Sequence, residues 1–241
     1  MKRKLLSIST LVVAGILTAI SGRCVHADVI ASYDFATAAP FISSDTELNS
    51  SAGNFTLASG LSANSGRSTT SPNVNTIFTR GTSLGTTASG AVSGNDYYTF
   101  TVTPTTGFKL NLTSLTFLTD ATVATGTNSY TANLFVRSSL DSFGANIGTM
   151  IADTSNVASS YVLQSVDLSS GTYQGITSPV EFRVYLFNTG ANPGDTNSIT
   201  RSDSYTLSGS VLAVPEPSVY LLLAGGLFLL VLGRRFSTAK E

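Results

Sequence analysis

The chain has 241 residues, with 13 Lys and Arg, 14 Asp and Glu, one Cys, one His and no Trp. The lone cysteine, Cys24, and the lone histidine, His26, both fall within the first 27 positions. If that segment is removed, disulfides, Cys/His zinc sites and histidine- or thiol-based catalysis are excluded.

That segment reads as a leader. Lys2, Arg3 and Lys4 form a basic start, residues 5–20 an apolar core, and Val25 and Ala27 the small residues at −3 and −1 of a cleavage site. The pattern predicts a secretory signal peptide over 1–27, cut after Ala27. Its apolar core is short against the roughly 20 residues of a stable span. From residue 28 to 214 there are twelve acids and six bases (Arg67, Arg80, Lys109, Arg137, Arg183 and Arg201), so the net charge is 6 − 12 = −6. A mildly acidic body without a basic cluster argues against nucleic acid as a partner.

The body, 28–212, shows no sustained helical period. Short alternating runs recur between Gly/Ser/Asn/Pro clusters, which is the pattern of an all-β sandwich or barrel. The expected strands are 29–35, 54–58, 97–103, 110–119, 129–138, 161–168, 180–188 and 204–213. Tyr98, Phe100 and Val102 alternate in phase, as do Val180, Phe182, Val184 and Leu186, with Glu181, Arg183 and Tyr185 turned outward. The apolar phase slips at Thr113–Ser114, which predicts a bulge or a break. Residues 38–95 read as long loops with one or two short strands. The expected fold is an antiparallel β-sandwich, jelly-roll-like, with the two inner faces packed together.

Few residues suggest chemistry. The body has two glutamates, Glu47 and Glu181, and glycoside hydrolysis needs two facing carboxylates. Glu181 and Arg183 share a strand face, where a charge pair explains both. Nothing points to an enzyme. The loop 188–203 is dense in oxygen ligands and offers Asp195, Asn197 and Asp203 to a calcium ion. The competing reading is a polar turn whose Asp and Asn side chains bond their own backbone. No other cofactor is expected. Tyr97, Tyr161, Tyr173 and Tyr185 are the aromatics placed to stack on sugar rings, although tyrosine on a strand more commonly packs in a core or rim.

The C-terminal stretch reads VPEPSVYLLLAGGLFLLVLGRRF. Residues 219–233 form a fifteen-residue apolar run, about 22 Å long as a helix and short against a hydrocarbon core of about 30 Å. Arg234 and Arg235 stop it and should stay on the cytoplasmic side, with 237–241 as a cytoplasmic tail. Pro215-Glu216-Pro217, a single apolar span and the arginine pair together closely resemble the PEP-CTERM sorting signal of Gram-negative bacteria, here over 213–236. The same element is sometimes labelled an ice-binding protein C-terminal domain, a label that names no activity. The resemblance implies a single transmembrane helix over 219–233. It also implies recognition of Pro215, Glu216, Pro217, Arg234 and Arg235 by an exosortase, an integral-membrane, cysteine-protease-like enzyme. After transient anchoring, release to the cell surface or an extracellular matrix would follow.

The body resembles the β-sandwich domains that accompany this tail, over YTFTVTPTTGFKLNLTSLTF, ANLFVRSSLDSF, VEFRVYLFNTG and SYTLSGSV. The expected role is structural or adhesive, associated with exopolysaccharide. The alternative is a lectin-like carbohydrate-binding module with or without calcium.

Overall fold

A computed structural model describes residues 28–44, 47–61, 65–69, 74–123, 129–154 and 160–214. The leader with Ala27, and the tail with Pro215, Glu216, Pro217, Arg234, Arg235 and the apolar run 219–233, lie outside the described residues. Among the described residues no helix is long and apolar enough to cross a membrane.

Among the described residues, thirteen strands form two antiparallel sheets. They run β1 (Asp28–Tyr33), β2 (Ser50–Ala52), β3 (Thr56–Leu57), β4 (Ser65–Ser68), β5 (Thr76–Arg80), β6 (Tyr97–Pro104) and β7 (Phe108–Val123). After these come β8 (Tyr130–Ser138), β9 (Ile147–Asp153), β10 (Val162–Asp167), β11 (Gln174–Ile176), β12 (Val180–Gly190) and β13 (Ser198–Ala213). The seven-stranded sheet has the order β10-β7-β13-β5-β4, with β1 also on β13 and β11 also on β7. The six-stranded sheet has the order β2-β6-β12-β8-β9, with β3 also on β6. From β6 to β8 and again from β11 to β13, successive strands pass from one sheet to the other.

The inner faces meet in one core. The alternation in β6 and β12 is borne out, with Tyr98, Phe100, Val102, Val180, Phe182 and Val184 all buried. Tyr205 of β13 stacks on Phe117 of β7 at 4.7 Å, and Phe100 stacks on Phe182 at 5.6 Å. Such pairs each contribute roughly 0.5–1.5 kcal/mol beyond the area they bury. The slip at Thr113 is a bulge: Ser208 pairs with Ser114 and Gly209 with Leu112, leaving Thr113 as the extra residue. The bulge restores the phase, so Leu110, Leu112, Leu115 and Phe117 all point inward. Gly209 sits where it brings the backbones together, since a Cβ there would meet Asn111 O and lie 2.9 Å from Leu112 Cα.

Two expectations need correction. The stretch 38–95 contains four short strands, β2 to β5, and a helix, α1 (Ala88–Gly94). Thr87 caps α1 by accepting a hydrogen bond from Gly90 N at 3.0 Å, and Asn95 ends it in the left-handed conformation at φ 58°. In addition β13 begins at Ser198 rather than near Ser204, so the end of the supposed loop 188–203 is strand. Ser198, Thr200 and Ser202 are buried there, and polar residues in a core hide the apolar alternation. Thr200 Oγ1 donates to Asn188 Oδ1 at 3.4 Å and Ser198 Oγ to Asn192 O at 3.0 Å.

Candidate functional site

The sequence-derived candidates scatter. Asp195 and Asn197 share one turn, in which Asp195 Oδ1 accepts from Asn197 N at 2.8 Å. Asp203 lies six residues further on, along β13, which at about 3.3 Å per residue is about 20 Å away. Its own carboxylate accepts from Ser204 N at 2.7 Å. The three are therefore not brought into one cage. Other oxygens of this loop also face protein donors: Asn192 O takes Ser198 Oγ, Pro193 O takes Asn188 Nδ2, and Thr196 O takes Arg80 Nη1. Among the described residues no group of three or more His, Cys, Asp or Glu is placed to hold a metal ion.

The four tyrosines also separate. Tyr173 is buried, with its hydroxyl 3.5 Å from Ser138 Oγ. Tyr161 is half-buried beside Thr76, and burial raises its pKa. Tyr185 takes the outward side of β12 as expected but is not exposed. α1 lies over that half of the sheet, and Ala91 packs with Phe135, Tyr185 and Phe187. Only Tyr97, its cross-strand partner on β6, stays half-open on this face.

Around Tyr97 the outer face of the six-stranded sheet carries an ordered set of polar and aromatic groups. β12 sits between β6 and β8, and its register places Arg183 opposite Thr99 on one side and Arg137 on the other. The Arg183 guanidinium lies 4.6 Å from the Tyr97 ring centre and 3.6 Å from that of Phe143. Its Nε donates to Glu181 Oε1 at 2.7 Å, and the same oxygen accepts from Thr99 Oγ1 at 2.9 Å. Burial works against the charge of Arg183, yet hydrogen bonds to Glu181 and Tyr185 outweigh it and leave its pKa raised. Arg137 lies over the Phe135 and Tyr185 rings at 5.1 and 5.7 Å, and donates to Asn146 Oδ1 and Phe143 O, both at 2.9 Å.

Phe143 reaches Arg183 through an unusual backbone. Ser142 and Phe143 both have left-handed φ, 59° and 60°. For L residues this costs about 1–2 kcal/mol each, and for a bulky side chain it is a clear outlier. Strain of this kind persists where the surroundings fix it, often at ligand-binding positions. Sequence reading found the Glu181–Arg183 pair and Tyr97, but missed Thr99, Arg137, Phe143 and Asn146. Their approach depends on strand register and on the turn after β8, which alternation does not encode.

Two other features are less suited to a ligand. A shallow pocket of about 240 Å³ opens between the edges of β9 and β10, beside Asp153, Val162 and Gln164. There Asp153 Oδ2 accepts from Ala121 N across the two sheets and Gln164 Nε2 donates to Thr119 Oγ1 within one, so its polar groups are engaged with β7. Arg201 and fully buried Asp120 form an ion pair at 3.7 Å.

No family model and no curated protein sequence matches the chain. Solved structures with similar architecture include the CBM22-1 xylan-binding domain of Paenibacillus barcinonensis Xyn10C, at 11 % identity and TM-score 0.37, covering 78 % of this chain and 98 % of that one. The CBM22-1–GH10 modules of Clostridium thermocellum Xyn10B, complexed with xylohexaose, match at 10 % identity and TM-score 0.32, over 80 % of this chain and 30 % of theirs. A family 11 carbohydrate-binding module of Lic26A-Cel5E from Clostridium thermocellum matches at 12 % and 0.30, over 78 % and 97 %. At TM-scores below 0.5 the likeness carries nothing about a ligand of this chain.

Proposed function

We propose that the chain is an exported, non-catalytic β-sandwich that holds polysaccharide at the cell surface or in an extracellular matrix. The open half of the outer six-stranded face is its binding surface. The observation that carries this reading is Arg183 held against Tyr97 and Phe143 on an exposed sheet. Half-open rings offer apolar surface to the C–H faces of sugars, and Thr99, Glu181, its cross-strand partner Thr101 on β6, and Asn146 offer directional partners to hydroxyls. Because stacking and the Glu181 bond already fix Arg183, little side-chain freedom is lost on binding. The same face supports binding over hydrolysis, since Glu181 is the one acidic residue within β6, β8 and β12 and is engaged by Arg183 and Thr99.

Export rests on the tail. The Pro215-Glu216-Pro217 motif, the apolar run and Arg234-Arg235 support sorting by an exosortase, with a transient membrane stage through 219–233 and release outside the inner membrane. The secretion machinery, the exosortase and then exopolysaccharide are the successive partners.

Affinity electrophoresis of the full-length protein against a panel of polysaccharides, with and without calcium, tests the binding reading. Retardation by at least one polysaccharide is expected, weakened about tenfold by Tyr97→Ala and indifferent to calcium. Retardation by none would sink it. The intact mass of the exported protein tests sorting: it should begin at Asp28 and lack residues 219–241, and a retained C-terminus would mean a permanent anchor instead.

A further inference from the structure

The outer face carries more positive charge than a neutral sugar calls for. Six cations serve the whole body from residue 28 to 214, and two of them, Arg137 and Arg183, stand directly opposite each other on neighbouring strands. Like charges in that arrangement destabilise a sheet. One carboxylate, Glu181, offsets one of them, and Asp141 in the adjoining turn directs its carboxylate to Ala145 N at 2.9 Å. Arg137 makes no ion pair among the described residues, on a body of net charge −6 (6 − 12).

Both guanidinium groups also have donors to spare. An arginine has five N–H groups. Arg137 uses Nε and Nη1, and its Nη2 has no acceptor among the described residues. Arg183 gives Nε to Glu181 and leans towards Tyr185, which leaves further N–H groups at the surface. The neighbouring aromatic rings, Phe135 and Tyr185 for Arg137 and Tyr97 and Phe143 for Arg183, hold both groups in place.

We propose that Arg137 and Arg183 together take the carboxylate of a uronate-bearing polysaccharide. This rests on the polysaccharide reading above and narrows it to an acidic class. A planar carboxylate matches the paired donors of a guanidinium, and a sugar carrying it keeps its ring over Tyr97 and Phe143. Bound there, the anion relieves the repulsion between the two arginines.

The test measures affinity of the full-length protein by isothermal titration calorimetry for alginate, neutral xylan and a sulfated galactan. The proteins compared are wild type, Arg137→Gln and Arg137→Lys, each checked for an unchanged thermal midpoint. Wild type should bind alginate at least tenfold more tightly than xylan, and Arg137→Gln should lose at least tenfold towards alginate alone. Arg137→Lys should recover only part of that, because lysine keeps the charge without the paired donors. Should Arg137→Gln destabilise the fold, loss of alginate binding with rising salt in wild type is the second readout. Equal affinity for alginate and xylan, or an Arg137→Gln protein as tight as wild type, would overturn the acidic assignment and leave the polysaccharide reading standing. Tighter binding of the sulfated galactan would overturn the choice of carboxylate. Binding of none of the three would overturn this proposal, and the broader panel would then decide the reading beneath it.

Discussion

Tyr97 and Tyr185 are a cross-strand pair on the same face of the same sheet, with ring centres 5.0 Å apart, yet they live in different environments. Tyr185 is 2 % exposed, stacked on Phe135 and roofed by Ala91 of α1. Tyr97 is half-open beside Arg183. Strand alternation decides which side of a sheet a residue takes, whereas exposure depends on what lies on top of it. Here a seven-residue helix divides one face into a second small core and a surface able to meet a ligand.

The comparison can be broken most directly by truncating both rings. Tyr185→Ala should cost about 3–5 kcal/mol in urea unfolding, as large-to-small changes in sealed cores do. Tyr97→Ala should cost under about 2 kcal/mol, since its ring is only partly removed from water. Equal losses would mean that the two halves do not differ. A smaller effect is expected from Thr87→Ala, which removes the α1 cap bond to Gly90 N and should cost about 1 kcal/mol. Hydrogen exchange should then quicken in α1 while the amides of β6 and β12 away from it stay protected.

The smallest expected effect is a drift with pH beneath α1. Asp96 is buried there, and burial raises its pKa above the ordinary 3.8, partly offset by the hydrogen bond from Gly85 N. The folded state then holds the proton to higher pH than the unfolded chain does. Stability from this group therefore falls as pH rises from the ordinary value through the raised one. Asp96→Asn should flatten that decline relative to wild type in unfolding curves taken from pH 3.5 upward. A parallel pair of curves would contradict the sign.

Much of the sandwich could be read in the sequence because its central strands obey alternation. β6 did so along its whole length and β12 from Val180 to Val184, and even the phase slip at Thr113 pointed to a real bulge. α1 was hidden because seven residues reading ASGAVSG span only two turns and resemble a loop in composition. Strand β5 and the first part of β13 were hidden by buried Thr and Ser, among them Thr76, Thr79, Ser198 and Thr200, and β4, which reads SGRS, has no apolar residue to alternate. The oxygen-rich turn at Asp195 attracted notice by its residue types, but its oxygens accept from donors of the turn and from Asn188 and Arg80 beside it. Arg183 drew notice only with Glu181; its approach to Arg137 did not, because 46 positions separate two residues that only the β8–β12 register brings together.

The central claim is that ligand meets the open half of the six-stranded face. A titration of isotope-labelled protein with polysaccharide, followed by amide chemical shifts, tests it most directly. Shifts concentrated at Thr99, Arg137, Phe143 and Arg183, with α1 and the Asp195 turn unmoved, are expected. Shifts concentrated at the Asp195 turn or along the β9–β10 edge would contradict it.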